Sequence, residues 1–403
     1  MNQIIHYGSV SSDGVYNFSQ NTIVAPRQAT TLLVRSVENS NSWVITDNTE
    51  TGGLVEGQFV RFMGSPSNLS FARNAALGTG LVQRGLLEIN GTQGGGGNTI
   101  TNNLCFNPEP IIATEVQCVF FNGESSDTSQ ISSNVLFGSW QPLAILGGSP
   151  VVTNNWFDEF GEAASGQGDL IAYGAAANPY VAYNINLLES DDANVISLLI
   201  SDGPTIRMTA RVEHNTYVGM NMSNDLQLGE GTDPNLAAYD SYVRDNLIVG
   251  GTYGIVDGNP EDTWSSTESY NGAGVHHNDV YDVTFPYYRD FGGSHGYDDG
   301  VHPHPDARYG DVTANPVFLD STRRPTSFDI SLGGPGTMDH FFAELALRNG
   351  FSGTYDARYN IPSMLSYLRT GFIPTNVFLK GAAHDGSDIG AMPVILPGVQ
   401  SHN

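Results

Sequence analysis

Residues 290 to 306 hold the densest run of proton-transfer and metal-binding side chains in the sequence: Asp290, His295, Asp298, Asp299, His302, His304 and Asp306, separated by glycine and proline. His276 and His277 lie a short way upstream. A carboxylate pair beside histidines suits acid and base work on a glycosidic bond, and the same residue types bind cations. His295, Asp298 and Asp299, with Arg244 as the cation, form the candidate catalytic set. Asp298, Asp299, His302 and His304 are the candidate metal ligands, with Ca2+ as the ion they would take. The competing reading is a polar loop between structural repeats that binds no cofactor.

A second set is spaced rather than clustered. Arg211 and Arg244 stand four and two residues before Asn215 and Asn246, with Glu213 and Asp245 close by. Such an arginine/acid ladder is either an active face or a stack of surface salt bridges. Asp257 to Asp262 forms an acidic loop without the ligand spacing and glycine of a helix-loop-helix calcium site.

The element that would position these groups is a repeat. Asparagine returns before a short apolar or aromatic run at Asn103, Asn134, Asn155, Asn184, Asn215, Asn246, Asn278 and Asn315, at intervals of 31, 21, 29, 31, 31, 32 and 37 residues. Val212, Val243, Val275 and Val312 lie two or three places upstream of the last four. A period in this range marks a repeat architecture, and short strands joined by Gly/Asp/Asn-rich loops make it a β-solenoid. Asparagine suits the corner because it tolerates the left-handed conformation and its amide donates to one coil while accepting from another. At about 4.8 Å per coil, the seven intervals predict a column of about 34 Å.

Composition narrows the partners. The 403 residues include 42 Asp plus Glu against 16 Lys plus Arg, a net charge of -26 that opposes binding to nucleic acid or an anionic membrane. Lys380 is the sole lysine. The longest apolar runs, such as 195–200, are far too short to span a bilayer. Residues 1–6 lack the basic and apolar regions of a secretory signal, which gives the expectation of cytoplasmic synthesis. Cys105 and Cys118 sit in apolar runs and read as buried small hydrophobes rather than a disulfide framework.

Three regions are expected. Residues 1–97 form an N-terminal β-rich attachment or capping module that lacks the asparagine period and ends in four glycines, Gly94 to Gly97. Residues 98–320 form the solenoid, and residues 321–403 a cap with two short helices and a final strand. The first helix is predicted from Thr337 to the Asn349-Gly350 stop. The second opens near Pro362 and closes at Gly371, with Ile361, Leu365 and Leu368 facing the solenoid. A cap is expected because the last coil leaves an unpaired edge.

Two closing segments carry a family resemblance. Gly310-Asp311-Val312-Thr313-Ala314-Asn315-Pro316-Val317-Phe318-Leu319-Asp320 and Asp385-Gly386-Ser387-Asp388-Ile389-Gly390-Ala391-Met392-Pro393 resemble the terminal segments of right-handed parallel β-helix proteins of the pectate-lyase-like superfamily. The resemblance implies an all-β fold, a right-handed parallel β-helix, and says little about chemistry, because that superfold hosts lyases, hydrolases, adhesins and viral spikes. Polygalacturonases resemble the 290–306 stretch locally, through an Asp-Asp pair and a Gly-His-Gly. Here the Gly-Ser-His-Gly precedes Asp298-Asp299, and the Asn-x-Asp and Arg-x-Lys motifs are missing.

Two functions follow as expectations. The first is a bacteriophage virion structural protein (head decoration or cement, fibre or spike), made in the host cytoplasm. It would be a homotrimer contacting a capsid or tail protein, and more a scaffold than an enzyme. The alternative is an extracellular polysaccharide lyase or glycoside hydrolase acting on an acidic polysaccharide. A carbohydrate partner fits either.

Overall fold

In a computed structural model the chain forms a right-handed parallel β-solenoid. The structure describes residues 2–9, 14–24, 29–36, 42–51, 59–64, 66–77, 84–91, 95–106, 117–124, 126–137, 141–159, 170–188, 196–201, 211–219, 224–228, 242–251, 253–257, 274–289, 295–296, 310–324 and 357–396. Each coil contributes one strand to each of three sheets of 12, 10 and 10 strands. Pairing is parallel throughout except at the end of the first sheet, where His295–Gly296 runs antiparallel to Phe285–Arg289.

The strands follow from alternation. In the second sheet the central residue of each short strand points inward: Ile100, Ile131, Val152, Val181, Val212, Val243 and Val275 lie in register and are buried. Their neighbours on either side point out. The inward side chains join Leu143 and Ile145 of the first sheet and Leu136, Phe157, Tyr217 and Ile248 of the third in one core. Burying each such side chain contributes about 1.5–3 kcal/mol, enough to fix the register of strands only three residues long.

A buried amide column runs along one corner. Asn21, Asn48, Asn74, Asn103, Asn134, Asn155, Asn184, Asn215, Asn246 and Asn278 each donate a side-chain or backbone N–H to the carboxamide or carboxylate oxygen one coil on. Most also donate the second amide hydrogen to a carbonyl of the second sheet, as Asn184 does to Val152 at 2.9 Å. The side chain is therefore satisfied while out of water, which is the condition for burying an amide. The corner itself works differently from the expectation. The residue with positive φ is the one before the asparagine, for instance Ser133 (φ 59), Tyr183 (φ 58), His214 (φ 52) and Asp245 (φ 59).

Asn315 is not a rung. Its Oδ1 accepts from the Val317 N–H at 3.0 Å in an exposed turn. Asp311 takes the next place, accepting the Asn278 N–H at 2.9 Å, and Gly310 (φ 87) takes the left-handed position before it. The ladder also reaches further back than its sequence signal, to Asn21, Asn48 and Asn74. The β-rich N-terminal region joins the same three sheets: Leu69–Ala72 pairs with Thr99–Thr101 and Ala75–Leu77 with Leu104–Phe106, on either side of Gly94–Gly97.

Cys105 and Cys118 are buried, as expected, but are bonded to each other, with Cα atoms 5.9 Å apart. The thiols face one another because consecutive strands of two sheets turn inward at the same level of the core.

The C-terminal helix spans Ala357–Gly371 and begins five residues before Pro362, which it carries inside. Ile361, Met364, Leu365 and Leu368 pack on Leu104, Val135, Trp156 and Ile185 of the third sheet. The buried Arg324–Asp158 ion pair, at 2.7 Å, ties the segment before it to the same sheet. The first expected helix lies outside the described residues. Beyond the helix, residues 372–396 form turns and one short 3-10 helix, Val377–Leu379, instead of a final strand, because their backbone groups bond to the coil corner and to each other rather than to a sheet edge. Among the described residues no helix is long and apolar enough to cross a membrane.

Candidate functional site

Three columns of side chains run along the outward side of the second sheet and its corner. The first reads Val44, Ser70, Thr99, Gln130, Val151, Tyr180, Arg211, Tyr242. The second reads Thr46, Ala72, Thr101, Ser132, Thr153, Ala182, Glu213, Arg244, His276. The third consists of the positive-φ residues Gln20, Asp47, Arg73, Asn102, Ser133, Asn154, Tyr183, His214, Asp245, His277. Backbone geometry is the same in every coil, yet the composition changes. Through Asn154 the columns carry mostly Ser, Thr, Ala and Asn, with one exposed pair, Arg73–Asp47 at 2.7 Å. From Tyr180 onward they carry Tyr, Arg, Glu, His and Asp, interrupted by Ala182 and Gly274. The fold therefore does not demand the ionisable set; small polar residues serve the same positions elsewhere.

The set is tightly connected. Tyr180 donates its hydroxyl to Glu213 at 2.5 Å, and Arg244 donates Nε to the other oxygen of Glu213 at 2.8 Å. The Arg244 guanidinium lies over the Tyr242 ring, 3.9 Å from its centroid, a cation–π contact that holds it flat to the sheet. Burial and the neighbouring Glu213 hold the Tyr180 and Tyr242 phenols above their ordinary range, so both stay protonated near neutrality. Arg211 Nε is buried without a hydrogen-bond partner among the described residues.

Asp245 is the hub. Its carboxylate is fully buried and accepts the His384 backbone N–H at 2.8 Å and the His384 ring Nδ1. His214 Nε2 and Arg244 Nε stand 3.7 and 3.9 Å from the same carboxylate. A carboxylate on Nδ1–H fixes the tautomer of His384 and leaves the lone pair on Nε2. His276 and His277 meet through their Nδ1 atoms at 2.9 Å, and both rings stand edge-on to His384. Burial holds the His277 imidazole below its ordinary pKa, so it is neutral at pH 7. Gly310 permits this approach, since a Cβ there would sit 2.5 Å from the His277 ring.

The C-terminal segment closes the other side. Gly390 donates to the Asp245 carbonyl at 2.9 Å and Ala391 to Thr216 Oγ1 at 3.0 Å. Arg369, buried on the helix, donates to the carbonyls of Tyr183 (2.8 Å) and Ala391 (3.1 Å), clamping helix, corner and segment together. A cleft of about 340 Å³ remains between Tyr183 and His214 on one wall and Ser387, Asp388 and Gly390 to Pro393 on the other.

The sequence-predicted residues are divided. Arg244 belongs to this site. His295 lies on a strand of the first sheet, so it does not share a sheet with Arg244. Asp298, Asp299, His302 and His304 lie outside the described residues. Arg211, Glu213 and Asp245 line up with Arg244 in the arginine/acid ladder, whereas His276 and His277, read with the 290–306 run, stand here against His384. His214, Tyr180, Tyr183 and His384 were missed. The first three sit at fixed offsets from Asn184 and Asn215, a signal the period offers; His384 comes from 139 residues beyond Asp245 and leaves no local trace. Among the described residues no group of three or more His, Cys, Asp or Glu is placed to hold a metal ion.

Comparison with family models, with curated proteins and with solved structures yields no match.

Proposed function

We propose that the chain is a polysaccharide-cleaving enzyme, acting on an acidic polysaccharide by β-elimination across the outer face of the second sheet. The observation that carries this reading is the switch in the three columns from Ser, Thr and Asn to the connected set Tyr180, Arg211, Glu213, Arg244, Asp245 and His214, completed by His384. A solenoid needs no such set to fold, and an extended polymer fits a face built from parallel columns.

The choice between elimination and hydrolysis rests on which groups are engaged. Hydrolysis of a glycoside uses two carboxyl groups that flank the bond. Here both oxygens of Glu213 are held by Tyr180 and Arg244, and both oxygens of Asp245 are held by His384. The groups left to move protons are imidazoles and phenols, which suit abstraction of a proton next to a carboxylate. In this reading Arg244, with Arg211, neutralises the uronate carboxylate. His384 Nε2 takes the proton from C5, its conjugate acid stabilised by Asp245. The C5–H electrons form the C4–C5 double bond as the C4–O4 bond breaks, and the Tyr183 hydroxyl protonates the leaving oxygen. Tyr183 carries that proton near neutrality, since burial and nearby carboxylates hold its phenol above the ordinary range. The Cys105–Cys118 disulfide supports work outside a reducing cytoplasm, where such bonds persist.

The test is incubation of the purified protein with polygalacturonate, alginate and hyaluronan, following ultraviolet absorbance of the unsaturated uronate and, separately, new reducing ends. Both signals, lost in His384→Ala and Arg244→Ala, are expected. Reducing ends without absorbance would replace elimination by hydrolysis. Neither signal on any acidic polymer would remove the enzymatic reading and leave the virion structural role as the better one.

A further inference from the structure

We infer that the cleft between the Tyr183–His214 corner and residues 387–393 is a subsite for an uncharged sugar, so that the substrate is a mixed polymer in which uronate alternates with a neutral residue. The inference rests on the proposed cleavage and specifies its substrate class. Its basis is an asymmetry of charge and surface across the site.

On the sheet side the cations are Arg211 and Arg244. On the cleft side the lining residues include no arginine or lysine, and the carboxylate of Asp388 is among them. Asp388 lines the wall, held by the Gly381 and Val394 N–H groups at 2.8 Å each and near Lys380 Nζ at 3.8 Å. Asp385 follows His384 in the turn, is exposed, and accepts the Ser387 N–H at 2.9 Å. Its charge reaches Tyr183, His214 and His384. A uronate carboxylate placed here meets like charge, and the Lys380 ammonium is already paired with Asp388, a juxtaposition that costs binding. A neutral pyranose meets what it needs. The Tyr183 ring is 39% exposed and lies parallel to His214, with centroids 5.0 Å apart and planes 2° from parallel, a flat apolar platform for a sugar face. Gln20, Asn102, Ser133 and Asn154 hold the corner at the same left-handed φ in earlier coils, so an aromatic ring is not a requirement of the turn. A cleft of about 340 Å³ lies at the small end of ligand sites and fits one ring rather than several.

The experiment compares kcat/KM on hyaluronan and on a rhamnose–galacturonate polymer, both alternating uronate with a neutral sugar, against polygalacturonate and alginate. The variants are Asp385→Asn and Tyr183→Phe or Ala, with Asp47→Asn, whose side chain pairs with Arg73 several coils away, as the control. At least one alternating polymer is expected to be preferred by about tenfold or more. Asp385→Asn should shrink that preference by raising turnover of the homopolymer. Tyr183→Ala should raise KM about tenfold, and Tyr183→Phe should keep the KM and lose kcat. Equal or better cleavage of the homopolymers, with a preference unmoved by Asp385→Asn, overturns the inference and leaves the proposed function standing. No cleavage of any of the four polymers overturns both.

Discussion

Asp245 binds His384 twice, through the backbone N–H at 2.8 Å and through ring Nδ1, although 139 residues separate them. The pairing makes the site a product of tertiary closure: the solenoid supplies the carboxylate and the C-terminal segment supplies the imidazole. Asp245→Asn keeps an acceptor for the backbone N–H but removes the charge that orients the ring. The expected outcome is a fall in kcat of about 100-fold or more with a small change in KM, measured by steady-state kinetics on the preferred polymer.

Substitutions in the amide column should depend on position. Asn184→Ala removes the acceptor of both Asn155 donors and one donor to the Val152 carbonyl in a dry corner. Such a change should cost on the order of 3–6 kcal/mol, read from urea unfolding. Asn184→Asp places a carboxylate oxygen against the Val152 carbonyl and Asn215 Oδ1 and should be at least as harmful. Asp311→Asn, at the end of the column, should change stability by about 1 kcal/mol or less.

Stability should fall as pH rises from about 4 to about 7, and Asp279 should be a cause. Burial raises its carboxyl from 3.8 to about 7 despite the Ala314 N–H that it accepts. The folded state therefore holds a proton that the unfolded state releases above about pH 4, so stability declines from there to about pH 7 and then levels. The full difference is about 4 kcal/mol at roughly three pKa units. Asp279→Asn keeps the acceptor for Ala314 and should flatten that part of the pH–stability curve while raising stability at pH 8. An unchanged slope between pH 4 and 7 would contradict the assignment.

Replacing both cysteines by alanine should lower unfolding free energy by about 3 kcal/mol, since the bond closes a loop of 13 residues. Both residues are 1% exposed, so thiol labelling of the native protein under mild reductant should be negligible until urea opens the core.

Much of the fold was written in the period itself. Val212, Val243 and Val275 repeat because one inward residue per coil must fill the core, and the asparagines repeat because each rung completes its neighbour. The first rungs are harder to see because Asn21, Asn48 and Asn74 recur at 27 and 26 residues, shorter than most later coils, with no aromatic residue close behind them. Asn315 was misread because the last rung changes chemistry: Asp311 needs only to accept. The cysteine pairing was hidden because 13 residues of sequence do not reveal that two strands face the same level of the core. Arg244 and its acids were visible as neighbours of the rungs; His384 was not, since nothing near it repeats. No feature of the described solenoid ties it to a virion in particular.

The column of amides has a polarity. Each asparagine rung passes hydrogens forward, and the sequence ends the side-chain part of this flow with a carboxylate, which has no amide hydrogen to pass on. A second molecule stacked head to tail would bring the carboxamide oxygen of its Asn21 against Asp311, acceptor against acceptor. The side chain that finishes the ladder thus disfavours stacking of one solenoid end on another, from inside the structure rather than from its surface.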